Sequence, residues 1–197
     1  MSGSSEVRLR RRPEGIPLID DFEVVQTMTP SPDDGEGLVR NLYVSVDPYM
    51  RGLMNESSPY DFMPSWEIGQ VPTGRCVGQV MQSRSSSIAE GQLVVSDQGG
   101  WREHFVAGPE SLAPLGESAI PVQAHLGPLG PTGFTAYVGM LLLGRTPTPG
   151  ESVYVSGAAG AVGSVACQIG KIKGCHVVGS TGSDDKIDWL MAQVGID

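Results

Sequence analysis

Residues 153–170, Val-Tyr-Val-Ser-Gly-Ala-Ala-Gly-Ala-Val-Gly-Ser-Val-Ala-Cys-Gln-Ile-Gly, restrict the folds open to this chain more than any other stretch. The β-branched and aromatic run 153–155 predicts a short strand. It enters a turn of small residues, 157–163, beyond which Val162, Val165, Ala166 and Ile169 recur at helix-face spacing. A second strand is predicted at 176–179, about where a right-handed crossover returns the chain. Strand, glycine turn, helix and strand form the plan of a dinucleotide-binding unit in a parallel α/β sheet. In that plan Gly157 lets the chain leave the strand sharply, and Gly160 clears the approach of backbone to a pyrophosphate. Gly163 allows close packing of the helix, whose free N–H groups face the phosphates. Three spaced glycines alone are a weak signal; their position between a strand and a helix gives them weight.

The bulk numbers exclude more than they assign. A chain of 197 residues suits one large domain or two small ones. Its net charge of −9 argues against a general nucleic-acid surface. No segment approaches the roughly 18 apolar residues of a membrane span, and the N-terminus lacks the apolar core of a signal peptide. Cys76, Cys167 and Cys175 form no CxxC pair, which argues against a disulfide framework or a cysteine-rich zinc lobe. A reducing cytoplasm is the expected setting. Lys171, Lys173 and Lys186, all the lysines of the chain, fall in the glycine-turn region, where an anionic ligand would sit.

Before that region the texture differs. Residues 1–15 are polar, and Arg8, Arg10, Arg11 and Arg12 read as a solvated arm entering the first strand. Strand-like runs follow at 22–25, 38–46, 76–81, 93–96 and 104–107, punctuated by glycine and proline. Asp47-Pro-Tyr-Met-Arg-Gly52 ends one strand and starts a helical turn, and 55–65 is a loop carrying Tyr60 and Phe62. Short strands at this spacing predict a compact β-barrel-like domain. From Leu126 the pattern turns helical: 132–143 reads as a largely buried helix. The last helix starts at Ser183-Asp-Asp-Lys186, with Ser183 able to cap it and two aspartates in its first turn. One and a half βα units leave a parallel pair that wants further strands, so the chain is expected to be the N-terminal portion of a larger protein.

Several segments together resemble a known family. They are Arg12-Pro-x-Gly15 with Asp21-Phe22, Leu42-Tyr-Val-Ser-Val-Asp-Pro-Tyr-Met-Arg-Gly52, Gly74-x-x-x-Gly78, residues 130–137, Ala158-Ala-Gly-Ala-Val-Gly-Ser164 and Lys173-Gly-Cys-x-Val-Val-Gly179. The chain is similar to the zinc-independent medium-chain dehydrogenase/reductases of the prostaglandin, alkenal and curcumin reductase branch. The resemblance covers nearly the whole chain. It implies an N-terminal GroES-like, partly open β-barrel (residues 1–125, the substrate domain), followed by the first βαβ part of a Rossmann fold (126–197, incomplete). The barrel's last strands come from the C-terminal part in relatives. Gly130-Pro-Thr-Gly133 departs from the usual Gly-Met-Pro-Gly of the family. The tyrosine that relatives place against the nicotinamide ribose lies beyond residue 197.

The implied activity is NADPH-dependent reduction of the C=C bond of α,β-unsaturated ketones or aldehydes. An NAD-specific site wants an acid at the end of the second strand, and Val178-Gly-Ser-Thr-Gly-Ser183 has none there. Lys186 can reach a 2′-phosphate, and relatives use the matching lysine that way. The cofactor-binding set is therefore Ala159, Gly160, Ala161, Val162, Gly163 and Lys186. His104, His125 and His176 are scattered, and no metal-ligand cluster is expected. Hydride addition to the β-carbon of an enone builds charge on the carbonyl oxygen, which needs positioning and a hydrogen-bond donor. Tyr49, in the Asp-Pro-Tyr-Met motif, and Tyr60, at a substrate-side position in relatives, are the candidate donors, while Arg51 is read as structural. The expected partner is a small enone or enal, with a homodimer for the longer protein. A quinone reductase would share the fold, and an inactive, truncated nucleotide-binding fragment is the rival from another class.

Overall fold

A computed structural model describes residues 3–197 of the chain. These residues fall into two compact units, one ending at Val122 and the other spanning Gln123–Asp197.

The first unit is built of strands. β1 (Gly3–Leu9) pairs antiparallel with β2 (Phe22–Met28), in register from Gly3↔Met28 to Leu9↔Phe22. β3 (Gly37–Val44), β4 (Cys76–Ser83), β5 (Leu93–Ser96), β6 (His104–Ala107) and β7 (Ala113–Pro114) form a second antiparallel sheet in the order β6-β3-β4-β5-β7. A single bridge, Glu6↔Arg102, and the Val7 N–H donating to Trp101 O join the hairpin to the sheet's neighbourhood. The sheets do not close on themselves, so the barrel is partly open. Its core follows the period-two rule: Val39 pairs with Phe105 on one side and Val80 on the other, and all three are buried with Cys76, Ile88, Val94 and Leu112. Each such aliphatic or aromatic side chain contributes roughly 1.5–3 kcal/mol on burial.

A second cluster holds the short helix α1 (Tyr49–Leu53) in place. Met50, Leu53 and Met54 bury against Leu9 and Trp66, with Tyr49, Tyr60, Met63 and Trp101 packed around them.

Two features of the arm correct the reading of a solvated N-terminus. Residues 3–9 are a full strand, with Ser4 only 2% exposed and its Oγ 3.1 Å from His104 Nδ1. Arg12 also turns inward, while Arg11 stays exposed along its side chain and is tied only at its tip. Arg11 Nε donates to the buried carboxylate of Asp21 at 2.6 Å, and Asp21 also accepts from the Leu18 N–H at 2.8 Å. Arg12 binds backbone carbonyls, as described below. The Arg12 guanidinium finds acceptors inside the fold, which outweighs its preference for water.

The second unit contains α2 (Pro131–Tyr137), β8 (Ser152–Val155), α3 (Ala161–Ile172), β9 (His176–Gly179) and α4 (Asp184–Trp189). β8 and β9 pair in parallel from Ser152↔His176 to Val155↔Gly179, and α3 is the crossover between them. Val155 and Val177 turn toward Ala166, Cys167 and Leu190 in the core, whereas Tyr154 and Val178 on the opposite face are exposed. The helix expected at 132–143 is not largely buried: Gly133 and Ala136 are covered, but Phe134, Leu142 and Leu143 are 60–71% exposed. Its last turn is a π-helix, Val138–Leu142. The segment is apolar all round, while only one side of it packs on α3. Ser183 takes the N-cap position of α4 but makes no capping side-chain bond; the Ile187 N–H donates to its carbonyl instead.

Candidate functional site

The glycine turn is assembled by its own backbone. Gly157 adopts φ +59°, a left-handed conformation that glycine tolerates at no steric cost. The Gly160 N–H donates to Gly157 O at 2.8 Å, and the Ala158 N–H donates to Ser180 O at 2.9 Å, tying the turn to the end of β9. A Cβ on Gly163 would lie 2.3 Å from Gly157 O and 2.9 Å from Ala158 Cα. Gly163 therefore serves closure of the turn on itself, a different job from the helix-to-sheet contact expected of it.

α3 then starts at Ala161, with Gly160 at the N-cap and no side chain capping it. The first N–H groups of a helix have no intrahelical partner, so those of Ala161, Val162 and Gly163 are left for an external acceptor. Gly160, Ala161 and Val162 are exposed. An uncapped helix start behind a closed glycine turn fits a pyrophosphate, since N–H donors and the positive end of the helix dipole converge there. These residues therefore fit a dinucleotide. Ala159 is half-buried beside the core, and Lys186 lies exposed on α4, its ammonium without a partner among the described residues. The end of β9 carries Ser180, whose Oγ accepts from Tyr154 Oη at 2.8 Å, a cross-strand link that no sequence signal marked.

The two tyrosines sit together on one small core. Tyr49 opens α1 and Tyr60 lies in the following loop; both pack against the cluster of Leu9, Met50, Leu53, Met54 and Trp66. Burial, and then the charges of Asp47 and Asp97, push the Tyr49 hydroxyl above its ordinary range. It stays protonated at neutral pH and remains a donor. Neither hydroxyl has a hydrogen-bond partner among the described residues.

Arg51 is structural, as its sequence context implied. Its Nε donates to Gly15 O at 2.8 Å, its Nη2 to Pro13 O at 3.1 Å and its Nη1 to Asn55 Oδ1 at 2.7 Å. Arg12 Nη1 lies within reach of Asn55 O at 2.6 Å, Met54 O at 3.1 Å and Trp66 O at 3.2 Å. One guanidinium thus gathers both ends of the loop that carries Tyr60.

Among the described residues, no three or more His, Cys, Asp or Glu side chains converge as a metal site would require. Cys76, Cys167 and Cys175 are free and buried. Desolvation pushes the Cys76 thiol up to about 11. Among the described residues, no helix is long and apolar enough to cross a membrane.

Comparison with known proteins follows the same division. Residues 5–115 match the family model described as the N-terminal domain of oxidoreductase. The chain is 36% identical over 189 residues to NADPH-dependent curcumin reductase of Escherichia coli (strain K12), covering 96% of this chain and 54% of that protein. It is 39% identical over 185 residues to prostaglandin reductase 1 of Bos taurus, covering 92% and 53% respectively. The chain thus spans about half the length of the curated relatives it matches. The crystal structure of CurA from Vibrio vulnificus in complex with NADPH superposes with a TM-score of 0.87 at 36% identity, over 98% of this chain and 56% of that one. By its matched N-terminal domain and these relatives, the chain belongs to the oxidoreductase family of zinc-independent medium-chain dehydrogenases and reductases.

Proposed function

We propose that this chain supplies the substrate unit and the first part of the nucleotide unit of an NADPH-dependent reductase of α,β-unsaturated ketones and aldehydes. The observation that carries the nucleotide assignment is the uncapped start of α3 behind a turn that Gly163 alone can close. The C=C assignment is supported by the relatives, which are named as curcumin, prostaglandin, 2-alkenal and (+)-pulegone reductases. The substrate domain is assigned to residues 1–125 and the nucleotide domain to 126–197.

Ala159, Gly160, Ala161, Val162 and Gly163 would hold the pyrophosphate by backbone, and the Lys186 ammonium would answer the 2′-phosphate. When bound, NADPH supplies a hydride to the substrate's β-carbon. The chain's own contribution is to meet the charge that then develops on the carbonyl oxygen. Tyr49 and Tyr60 are the candidates, as hydroxyls donating to that oxygen. The proton that completes the α-carbon comes from solvent or from a tyrosine. A cytoplasmic setting accords with three free, buried thiols, and the longer protein is read as a homodimer.

The test is loss of nicotinamide absorbance on mixing the protein with NADPH and an enone, with the saturated ketone as control. Consumption with the enone and none with the ketone is expected. Turnover of a quinone with no turnover of the enone would overturn the reading in favour of a quinone reductase. Retention of NADPH with neither reaction would overturn it in favour of a nucleotide-binding chain.

A further inference from the structure

The loop 55–65 is held unusually firmly for a surface segment, yet it displays a bare aromatic ring. Arg12 draws together the carbonyls of Asn55 and Trp66 at its two ends, and the Trp66 N–H donates to Leu53 O at 2.8 Å. Inside it, Ser58 Oγ accepts from the Tyr60 N–H at 3.1 Å, and the Met63 N–H donates to Tyr60 O at 3.3 Å. A Cβ on Gly52 would lie 2.9 Å from both Tyr60 Cε2 and Pro59 Cγ, so the loop also rests directly on α1. Tyr60 and Met63 on either side are half-buried against the core. Phe62 between them is 82% exposed. Its ring centroid stands 6.2 Å from that of Tyr60, with the planes at 44°.

An exposed phenyl on a floppy loop would carry no message. Here the loop is clasped at its base and anchored at two side chains, so the exposure of Phe62 is built in. We propose that Phe62 is a specificity-determining residue, which holds a flat, uncharged aryl or alkenyl tail of the enone beside Tyr60. This rests on the enone-reductase reading. A carbonyl accepting from the Tyr60 hydroxyl leaves the conjugated tail close to a ring 6.2 Å from the tyrosine, near enough for edge or offset stacking.

The charge around the ring selects further. Residues 55–65 contain Glu56 and Asp61 and no cation, and both acids are exposed without an ion-pair partner among the described residues; Arg12 and Arg51 bind these residues only at the first of them, Asn55. A tail ending in a carboxylate would meet like charge beside Phe62, whereas a neutral aromatic tail would not. The substrate class this surface favours is the neutral aryl-conjugated enone.

The experiment compares kcat/KM with NADPH for benzylideneacetone, its para-carboxylate analogue and mesityl oxide, a short enone without an aryl tail. Phe62→Ala should lower kcat/KM for benzylideneacetone about tenfold, the loss of one aromatic contact, and lower it far less for mesityl oxide. Phe62→Tyr should restore it. Asp61→Asn should raise turnover of the carboxylate analogue selectively. An equal loss with both neutral enones, or no loss with either, would overturn the proposal. If the unaltered protein turns over none of the three, the reductase reading itself fails and the assignment of Phe62 falls with it.

Discussion

Gly163→Ala is the substitution whose consequence follows most directly from the geometry. The added Cβ would stand 2.3 Å from Gly157 O and 2.9 Å from both Gly157 C and Ala158 Cα. Comfortable contact needs roughly 3.5–4.0 Å, so the turn must yield by about 1 Å. All three obstacles are backbone, and no side chain can swing aside. Overpacking of this kind costs about 1–3 kcal/mol, against which alanine regains up to about 1 kcal/mol of helix propensity. A net loss of about 1–2 kcal/mol lowers the melting temperature of a chain this size by roughly 2–8 °C. Gly139→Ala is the matched control, because a Cβ there meets nothing within 4 Å. It should leave stability unchanged or raise it by up to about 1 kcal/mol. Calorimetric melting curves of both variants give the stability comparison, and titration calorimetry with NADPH gives the second readout. Moving the turn also displaces the N–H groups at the start of α3, so NADPH affinity should fall at least about tenfold in Gly163→Ala only. If the two variants melted alike and bound NADPH alike, the closed turn would not be the structure that matters.

Four further outcomes are expected. Tyr60→Phe and Tyr49→Phe should each cut enone turnover if the hydroxyl meets the developing oxyanion, by roughly 10²–10³ for the residue that does so; unchanged turnover in both would remove the tyrosines from the reaction. Asp21 is held below its ordinary value of 3.8, first by the Leu18 N–H and then by Arg11. Its stabilisation is therefore present above about pH 4 and lost as pH falls through the lower folded value, so the melting-temperature gap to Asp21→Asn should close in acid. A gap that stayed constant down to pH 2 would contradict this. Cys76, raised to about 11 by burial, should resist a thiol reagent at pH 8 in the folded protein and react on unfolding. Arg12→Met should speed amide exchange across residues 55–66, at both ends of the loop together, whereas exchange unchanged would mean the clasp is not what holds it.

What could be read in advance, and what could not, has a physical basis. The glycine turn was legible because its determinants are local: the turn, the helix start and the return strand all lie within residues 153–179. Strands β5 and β6 were legible because short β-branched runs stand between glycines. β1 was hidden because its buried positions are Ser4 and Leu9, while Glu6 and Arg8 between them form an ion pair that makes the strand look like solvent-facing chain. The clasp made by Arg12 was hidden for another reason. Its acceptors are backbone carbonyls 42, 43 and 54 residues away, and carbonyls carry no residue identity to recognise. The exposure of Phe134, Leu142 and Leu143 likewise escaped a pattern that is apolar on every side, because periodicity cannot tell which side is covered. The resemblance to the zinc-independent reductases was carried by motifs such as residues 45–52, and the family match over 5–115 bears it out.

An NADPH site formed by the glycine turn and Lys186 together would have to distinguish NADPH from NADH. Its most direct test is titration calorimetry of the unaltered protein and of Lys186→Ala with NADPH and with NADH. Lys186 sits exposed on α4 with its ammonium unpaired among the described residues, so it should add affinity only where a 2′-phosphate is present. NADPH should bind the unaltered protein at least about tenfold more tightly than NADH, and Lys186→Ala should abolish this difference while leaving NADH binding unchanged. Equal affinities for the two nucleotides, or binding of neither, would contradict it.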